Sequence, residues 1–97
     1  RRRADINIGI DYSSDIKLAR QVLLEIAEDP RVLREPEPVV FVTGLGDSSV
    51  NLSLRVWVAT ADFWPVTFSF TEQAKERLTA AGVGIPFPQR VVHLVQR

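Results

Sequence analysis

The segment at residues 82–89 constrains the fold most, because it ends one helix and prevents another from starting. Gly82 can adopt the left-handed conformation that closes a helix. Pro86 and Pro88 have a fixed backbone angle and no amide hydrogen to donate. The chain must therefore leave the preceding helix along an extended path and re-enter a sheet. No reactive side chain lies in this joint, which we interpret as architectural.

Strands are predicted where apolar and polar side chains alternate. Residues 4–11 and 50–58 follow this period of two, which is typical of a strand with one buried face. Residues 39–43 form a shorter strand that is apolar on both faces, and residues 44–49 form the turn that follows it. A closing strand is predicted over residues 90–95.

Two helices are predicted between these strands. The first begins after a cap at Ser13 or Ser14, with Asp15 favourably placed at its positive end, and continues to about Ala27. The second covers about residues 62–81 and tolerates a proline in its first turn. Both have apolar side chains at helical spacing, so each should pack one face on the sheet.

The order of elements is β-α-β-β-α-β. It predicts an α+β fold of the ferredoxin-like type, with two helices packed on one face of a mostly antiparallel sheet. The strand at 50–58 should be central and the strand at 39–43 peripheral, because prolines precede the latter. The chain has 97 residues, of which 45% are hydrophobic. A single domain over residues 1–97 is therefore expected.

Composition argues against several classes of function. The formal net charge is zero, so nucleic acid is not an expected partner. The only basic cluster is residues 1–3. It could contact lipid head groups or a neighbouring domain, or it could be a solvated segment with no partner. No apolar run approaches the roughly 18 residues that a membrane span needs. The chain lacks methionine and starts with three arginines in the middle of a sequence pattern, so we expect it to be a fragment of a longer protein.

Features that could suggest chemistry each have a simpler explanation. The glycine-rich residues 44–49 lack the P-loop lysine and precede a strand, which favours a hairpin turn over a phosphate site. His93 is the only histidine, and the chain has no cysteine, so a metal would lack ligands. We predict no catalytic residue, no metal site, no cofactor and no enzymatic activity. The acidic pairs, which we expect to be solvated, are Asp11 with Asp15 and Glu72 with Glu76.

Several aromatic residues fall outside the predicted core. Trp57 lies with Arg55 on the polar side of the third strand, and Trp64 and Phe68 lie off the apolar stripe of the second helix. Phe41 is a further candidate, although the register of its strand is open. Exposed aromatic rings of this kind need a cover. Another subunit or domain, a widened core and a small-ligand pocket are the three alternatives.

A set of short motifs occurs in a characteristic order along the chain. In sequence, they are Arg-Arg at 2–3, Tyr-Ser-Ser-Asp at 12–15, Pro-Arg-Val-Leu at 30–33, Pro-Glu-Pro at 36–38, Gly-Asp-Ser-Ser-Val-Asn-Leu at 46–52, Leu-Arg-Val-Trp-Val at 54–58, Ala-Gly-Val at 81–83 and Ile-Pro-Phe-Pro-Gln at 85–89. With these motifs, essentially the whole chain resembles the soluble C-terminal α/β domain of the small-conductance mechanosensitive (MscS-type) ion channels.

The resemblance implies a homoheptamer in the inner membrane of a bacterium or in a similar membrane. Pore-lining helices and an all-β domain would precede this segment, and the soluble domains would enclose a cytoplasmic vestibule. The channel would open under tension and release ions and small osmolytes on hypo-osmotic shock. This segment would build the vestibule wall, with Phe41, Arg55, Trp57, Trp64 and Phe68 as candidate subunit or domain contacts.

Two other classes of function are considered. A small-molecule-sensing regulatory module of ferredoxin-like fold would be stabilised against heat by its ligand. An RNA-binding module would need exposed aromatic rings on the first and third strands. The first strand instead places Asp5, Asn7, Gly9 and Asp11 on its exposed face.

Overall fold

Strand β3, Val50–Val58, lies at the centre of the sheet. The computed structural model describes residues 1–86, and within them β3 pairs with β1 (Arg2–Ile10) on one side and β2 (Val39–Leu45) on the other, both antiparallel. The predicted positions of the third strand at the centre and the second at the edge are confirmed. The strand predicted over residues 90–95, with its histidine, lies outside the described residues.

Two helices cover one face of this sheet. Helix α1 is Ile16–Ile26, and helix α2, Phe63–Ala80, follows a short 3-10 turn at Thr60–Asp62. The predicted α+β class, with its helices on one side of an antiparallel sheet, is confirmed. Among the described residues, neither helix combines the length and the apolar character that a membrane crossing requires.

The core lies between the helices and the sheet, and it follows from the alternation in the sequence. Every second residue of β3 points to the helices and is buried, and each fully buried aliphatic side chain stabilises the fold by about 1.5–3 kcal/mol. Within residues 1–86, no helix lies on the opposite face of the sheet. The main buried residues are Ala4, Ile6, Ile10, Ala19, Val22, Leu23, Ile26, Leu52, Leu54, Val56, Val66, Phe70, Ala74 and Leu78.

The first helix is capped by a different residue from the one predicted. The side chain of Asp15 accepts hydrogen bonds from the backbone amides of Lys17 at 2.9 Å and Leu18 at 3.4 Å. Asp15 is therefore the N-cap, and the prediction of a serine cap is wrong. The hydroxyl of Ser14 instead accepts a hydrogen bond from the Gly84 amide at 3.2 Å. A carboxylate is also favoured here by the positive end of the helix.

The end of α2 has the geometry that its sequence predicts. Gly82 has a φ of 87°, and its amide donates to the carbonyl of Thr79 at 3.1 Å. The Val83 amide donates to the carbonyl of Leu78 at 2.9 Å, and both of these side chains are buried. These two bonds and this contact form a Schellman motif, in which glycine avoids the strain of a positive φ. The predicted helix stop at Gly82 is confirmed.

The glycine-rich segment between β2 and β3 is a hairpin turn. The Gly46 amide donates to the Ser49 carbonyl at 2.7 Å, and the strands diverge from regular pairing between Val42 and Gly44. Strand β2 extends to Leu45, two residues further than predicted. The hairpin prediction is confirmed, because β2 and β3 pair in the antiparallel sense on either side of this loop.

Candidate interaction surfaces

The side of the sheet opposite to both helices forms one candidate surface, which we call the open face. It consists of four partly buried residues, Asp5, Phe41, Arg55 and Trp57. The pairing of Asp5 with Arg55 and of Phe41 with Ser53 brings these residues to the same side, away from the helices. The register therefore settles the side on which Phe41 lies, which the apolar run of its strand left undecided. Three of the five residues predicted for contacts meet on this surface.

Ion pairs hold the centre of the open face in one arrangement. Asp5 Oδ1 accepts from Arg55 Nε at 3.2 Å, and Asp5 Oδ2 lies 3.3 Å from the guanidinium of Arg3. The Arg55 guanidinium also lies over the ring of Phe41, 4.8 Å from its centroid. Each ion pair at this exposure contributes at most about 1 kcal/mol. Their combined effect is to orient Arg55 before any partner arrives.

Trp57 extends the open face toward the start of the chain. Its ring is half-buried, and the guanidinium of Arg1 lies 4.9 Å from the ring centroid. Helices do not reach it, because its neighbours Val56 and Val58 point to the core. Trp57 is thus shielded in part by its own chain without being enclosed in a widened core. The contribution of Arg1 and Asp5 was missed, since it depends on strand register and on stacking that sequence spacing does not reveal.

A second surface lies on α2, on the other layer of the molecule. Trp64 and Phe68 are 57% and 65% exposed, and their rings stack with centroids 5.6 Å apart. Phe63 meets Trp64 edge to face at 4.9 Å, and the guanidinium of Arg2 covers Phe63 at 3.6 Å. We call Phe63, Trp64 and Phe68 the aromatic ledge. The structure therefore divides the five predicted contact residues between two separate surfaces.

A shallow groove near the end of α1 is a third, less distinctive feature. Its lining residues include the apolar Leu24, Val32 and Leu33 and the acidic Glu28 and Glu37. Among residues 1–86, no three histidine, cysteine, aspartate or glutamate side chains lie close enough together to hold a metal ion. The groove offers neither a nucleophile next to a base nor a set of converging polar groups.

The family follows from comparison with known proteins. The family model described as the mechanosensitive ion channel MscS, C-terminal, matches residues 4–85. This match spans the strands, both helices and the helix stop described above. The chain belongs to the MscS family.

Named relatives and one solved structure agree with this assignment. An uncharacterized MscS family protein of Archaeoglobus fulgidus is 44% identical over 94% of this chain and 32% of its own length. The small-conductance mechanosensitive channel of Edwardsiella ictaluri is 39% identical over 99% of this chain and 34% of its own length. The crystal structure of Helicobacter pylori MscS in its closed state matches with a TM-score of 0.82 and 28% identity, over 91% of this chain and 36% of that one.

The chain spans about a third of the length of these relatives. Their similarity supports the assignment of this chain to the mechanosensitive channel family. It gives no support to a ligand-sensing module. The resemblance stated from the motifs is confirmed.

Proposed function

We propose that this chain is the cytoplasmic vestibule and assembly domain of a mechanosensitive channel that releases ions and small osmolytes on hypo-osmotic shock. In this proposal, residues 1–97 are one domain of a longer membrane protein, and membrane helices and an all-β domain precede it. Its partners are identical subunits in a homoheptamer. Support comes from the family model and from the Edwardsiella ictaluri relative, whose name states a small-conductance mechanosensitive channel.

The proposed assembly role rests on the residues of the open face. Tryptophan and arginine are the residues most enriched among those that dominate binding at protein interfaces. Here Trp57 and Arg55 lie on the side of the sheet opposite to α1 and α2, and Arg55 is already oriented by Asp5. An identical subunit is the partner we propose for this face. The domain performs no chemistry in this account, and it acts by shape and by contact.

Current recordings from the full-length parent protein test the proposal. The protein should give a current that is activated by membrane tension in cells that lack other mechanosensitive channels. Arg55→Ala should reduce the number of active channels per patch, because it removes the guanidinium that Asp5 orients and that we propose contacts the neighbouring subunit. Lys75→Ala, an exposed change on α2 away from the open face, is the control. Absence of any tension-activated current from the wild-type protein would rule out the proposed function.

A further inference from the structure

We propose that the open face of one copy of this chain docks on the groove at the end of α1 of the next copy. This inference rests on the proposed function, because it names the surface of the identical subunit that meets the open face. The contact joins two different surfaces, so it runs head to tail, and contacts of this kind close into a ring when the rotation between copies allows it. We call this groove, which Glu28 and Glu37 help to line, the α1 groove.

The end of the open face around Trp57 has an excess of positive charge. The guanidiniums of Arg3 and Arg55 both contact the carboxylate of Asp5, at 3.3 and 3.2 Å, and the guanidinium of Arg1 lies over the Trp57 ring. One carboxylate cannot neutralise three guanidiniums. Because the formal net charge of the whole chain is zero, the compensating negative charge lies on other parts of its surface. The surface that complements this end of the open face is therefore acidic.

The α1 groove supplies carboxylates that are free to meet a partner. Among residues 1–86, Glu28 and Glu37 form no ion pair, whereas Asp29 beside them is paired with Arg31 at 3.0 Å. Both glutamates are exposed. Arg34 also lines the groove and can balance one of these two charges. The groove therefore keeps a negative charge opposite in sign to that of the open face.

The apolar parts and the positions of the two surfaces also match. The groove has apolar lining residues and a volume of about 730 Å³, enough to admit an aromatic side chain, and Trp57 is a half-buried ring with part of its surface left to cover. The Leu33 amide, beside the groove, donates to the Trp57 carbonyl at 2.8 Å. Both surfaces thus lie at the same end of the sheet but on different sides of it. Copies arranged side by side at one level can then join open face to groove.

Charge reversal, followed by native mass spectrometry of the full-length parent protein over a dilution series, tests this pairing. One variant reverses the open face by Arg1→Glu with Arg3→Glu, and another reverses the groove by Glu28→Lys with Glu37→Lys. Each should raise the concentration needed for half assembly at least about tenfold, because like charges then meet across the contact. The variant with all four changes should return to within about threefold of wild type, since the opposed charges are restored.

The control is Glu72→Lys with Glu76→Lys, which makes the same change in net charge at exposed residues of α2 outside the groove. It should assemble as wild type does, and thermal unfolding checks that every variant is folded.

Two results would overturn the inference: a groove variant that assembles like wild type, or a fourfold variant that assembles no better than the two reversals. If residues 87–97 of the same chain filled the groove, reversal of the open face would not rescue the groove variant. Loss of assembly in the open-face variant alone would leave the proposed assembly role standing with a different partner surface. Unchanged assembly in the open-face variant and in Trp57→Ala would overturn both.

Discussion

Asp29 and Arg31 fix the connector that leaves α1. The Arg31 guanidinium donates to both carboxylate oxygens of Asp29 at 3.0 Å, and the Arg31 amide donates to Oδ1 at 2.8 Å. The side-chain hydrogen bonds from Arg31 hold the pKa of Asp29 below its ordinary value of 3.8, although burial acts in the opposite direction. The folded-state pKa is thus lower than the unfolded one. Stability from this pair is complete above the unfolded value and is lost as the pH falls through the folded-state pKa.

Asp29→Asn tests whether the ion pair with Arg31 stabilises the fold. Asparagine keeps an oxygen for the Arg31 amide and removes the charge, so we expect a loss of at most about 1 kcal/mol at pH 7. The difference in the free energy of unfolding between variant and wild type should disappear as the carboxyl of the wild type becomes protonated, below pH 3.8. Urea unfolding at a series of pH values measures this difference. Glu28→Gln, a change at an exposed residue, is the control. A difference in the free energy of unfolding that stays constant at all acid pH values would contradict the ion-pair explanation.

At the scale of elements, the segment after α2 is attached to the end of β1 through one glycine. The Gly84 carbonyl accepts from the Asp11 amide at 2.9 Å. A Cβ on Gly84 would lie 2.0 Å from Asp11 Oδ2 and 3.1 Å from its Cγ. No side chain fits there unless Asp11 moves. The glycine therefore allows the end of one element to dock on another.

Gly84→Ala should lower the free energy of unfolding by about 0.5–1.5 kcal/mol, because the new methyl group overlaps the Asp11 carboxylate and forces that side chain to rotate. In the background of Asp11→Ala the same change should cost less than about 0.5 kcal/mol, since the overlapping atoms are gone. Gly44→Ala, where nothing lies within 4 Å of the added carbon, is the matched control. Chemical denaturation of the four proteins gives the coupling energy. Strict additivity of the two changes would show that the close approach is not the cause.

Most elements could be predicted because their causes are local. Alternation fixes the faces of β1 and β3, and Gly82 fixes the end of α2, since each depends only on neighbours in the chain. Phe41 could not be assigned to a face, because its strand is apolar throughout and only pairing with β3 sets the register. The cap of α1 was misassigned between adjacent polar residues. All three could accept the amide bonds, and the backbone path selects Asp15.

The sequence predicted that Trp57 lies with Arg55 on one side of β3 and that Trp64 lies with Phe68 on α2, but it left the side of Phe41 open. Trp57 and Trp64 share an aromatic character that the sequence shows, but the two-layer fold places them on opposite sides. The ordering of Arg55 by Asp5 depends on residues 50 positions apart in the chain. Such contacts arise from tertiary pairing, and no spacing rule within one element identifies them.

Packing within one chain and the proposed contact between chains use opposite sides of the sheet. Val56 and Trp57 are neighbours on β3 that point to opposite sides, the first fully buried against the helices and the second half-buried on the open face. Val56→Ala should therefore cost about 2 kcal/mol of monomer stability and leave assembly intact. Trp57→Ala should instead weaken the association of subunits more than it lowers the stability of the monomer.

Native mass spectrometry of the full-length parent protein measures the oligomer formed by wild type and by each variant, and thermal unfolding of the same samples measures stability. We predict that wild type and Val56→Ala form the same oligomer, proposed to be a heptamer, and that Trp57→Ala dissociates to smaller species at equal concentration. Trp57→Ala should at the same time lose less stability than Val56→Ala. An unchanged oligomer for Trp57→Ala, together with a stability loss as large as that of Val56→Ala, would contradict the account.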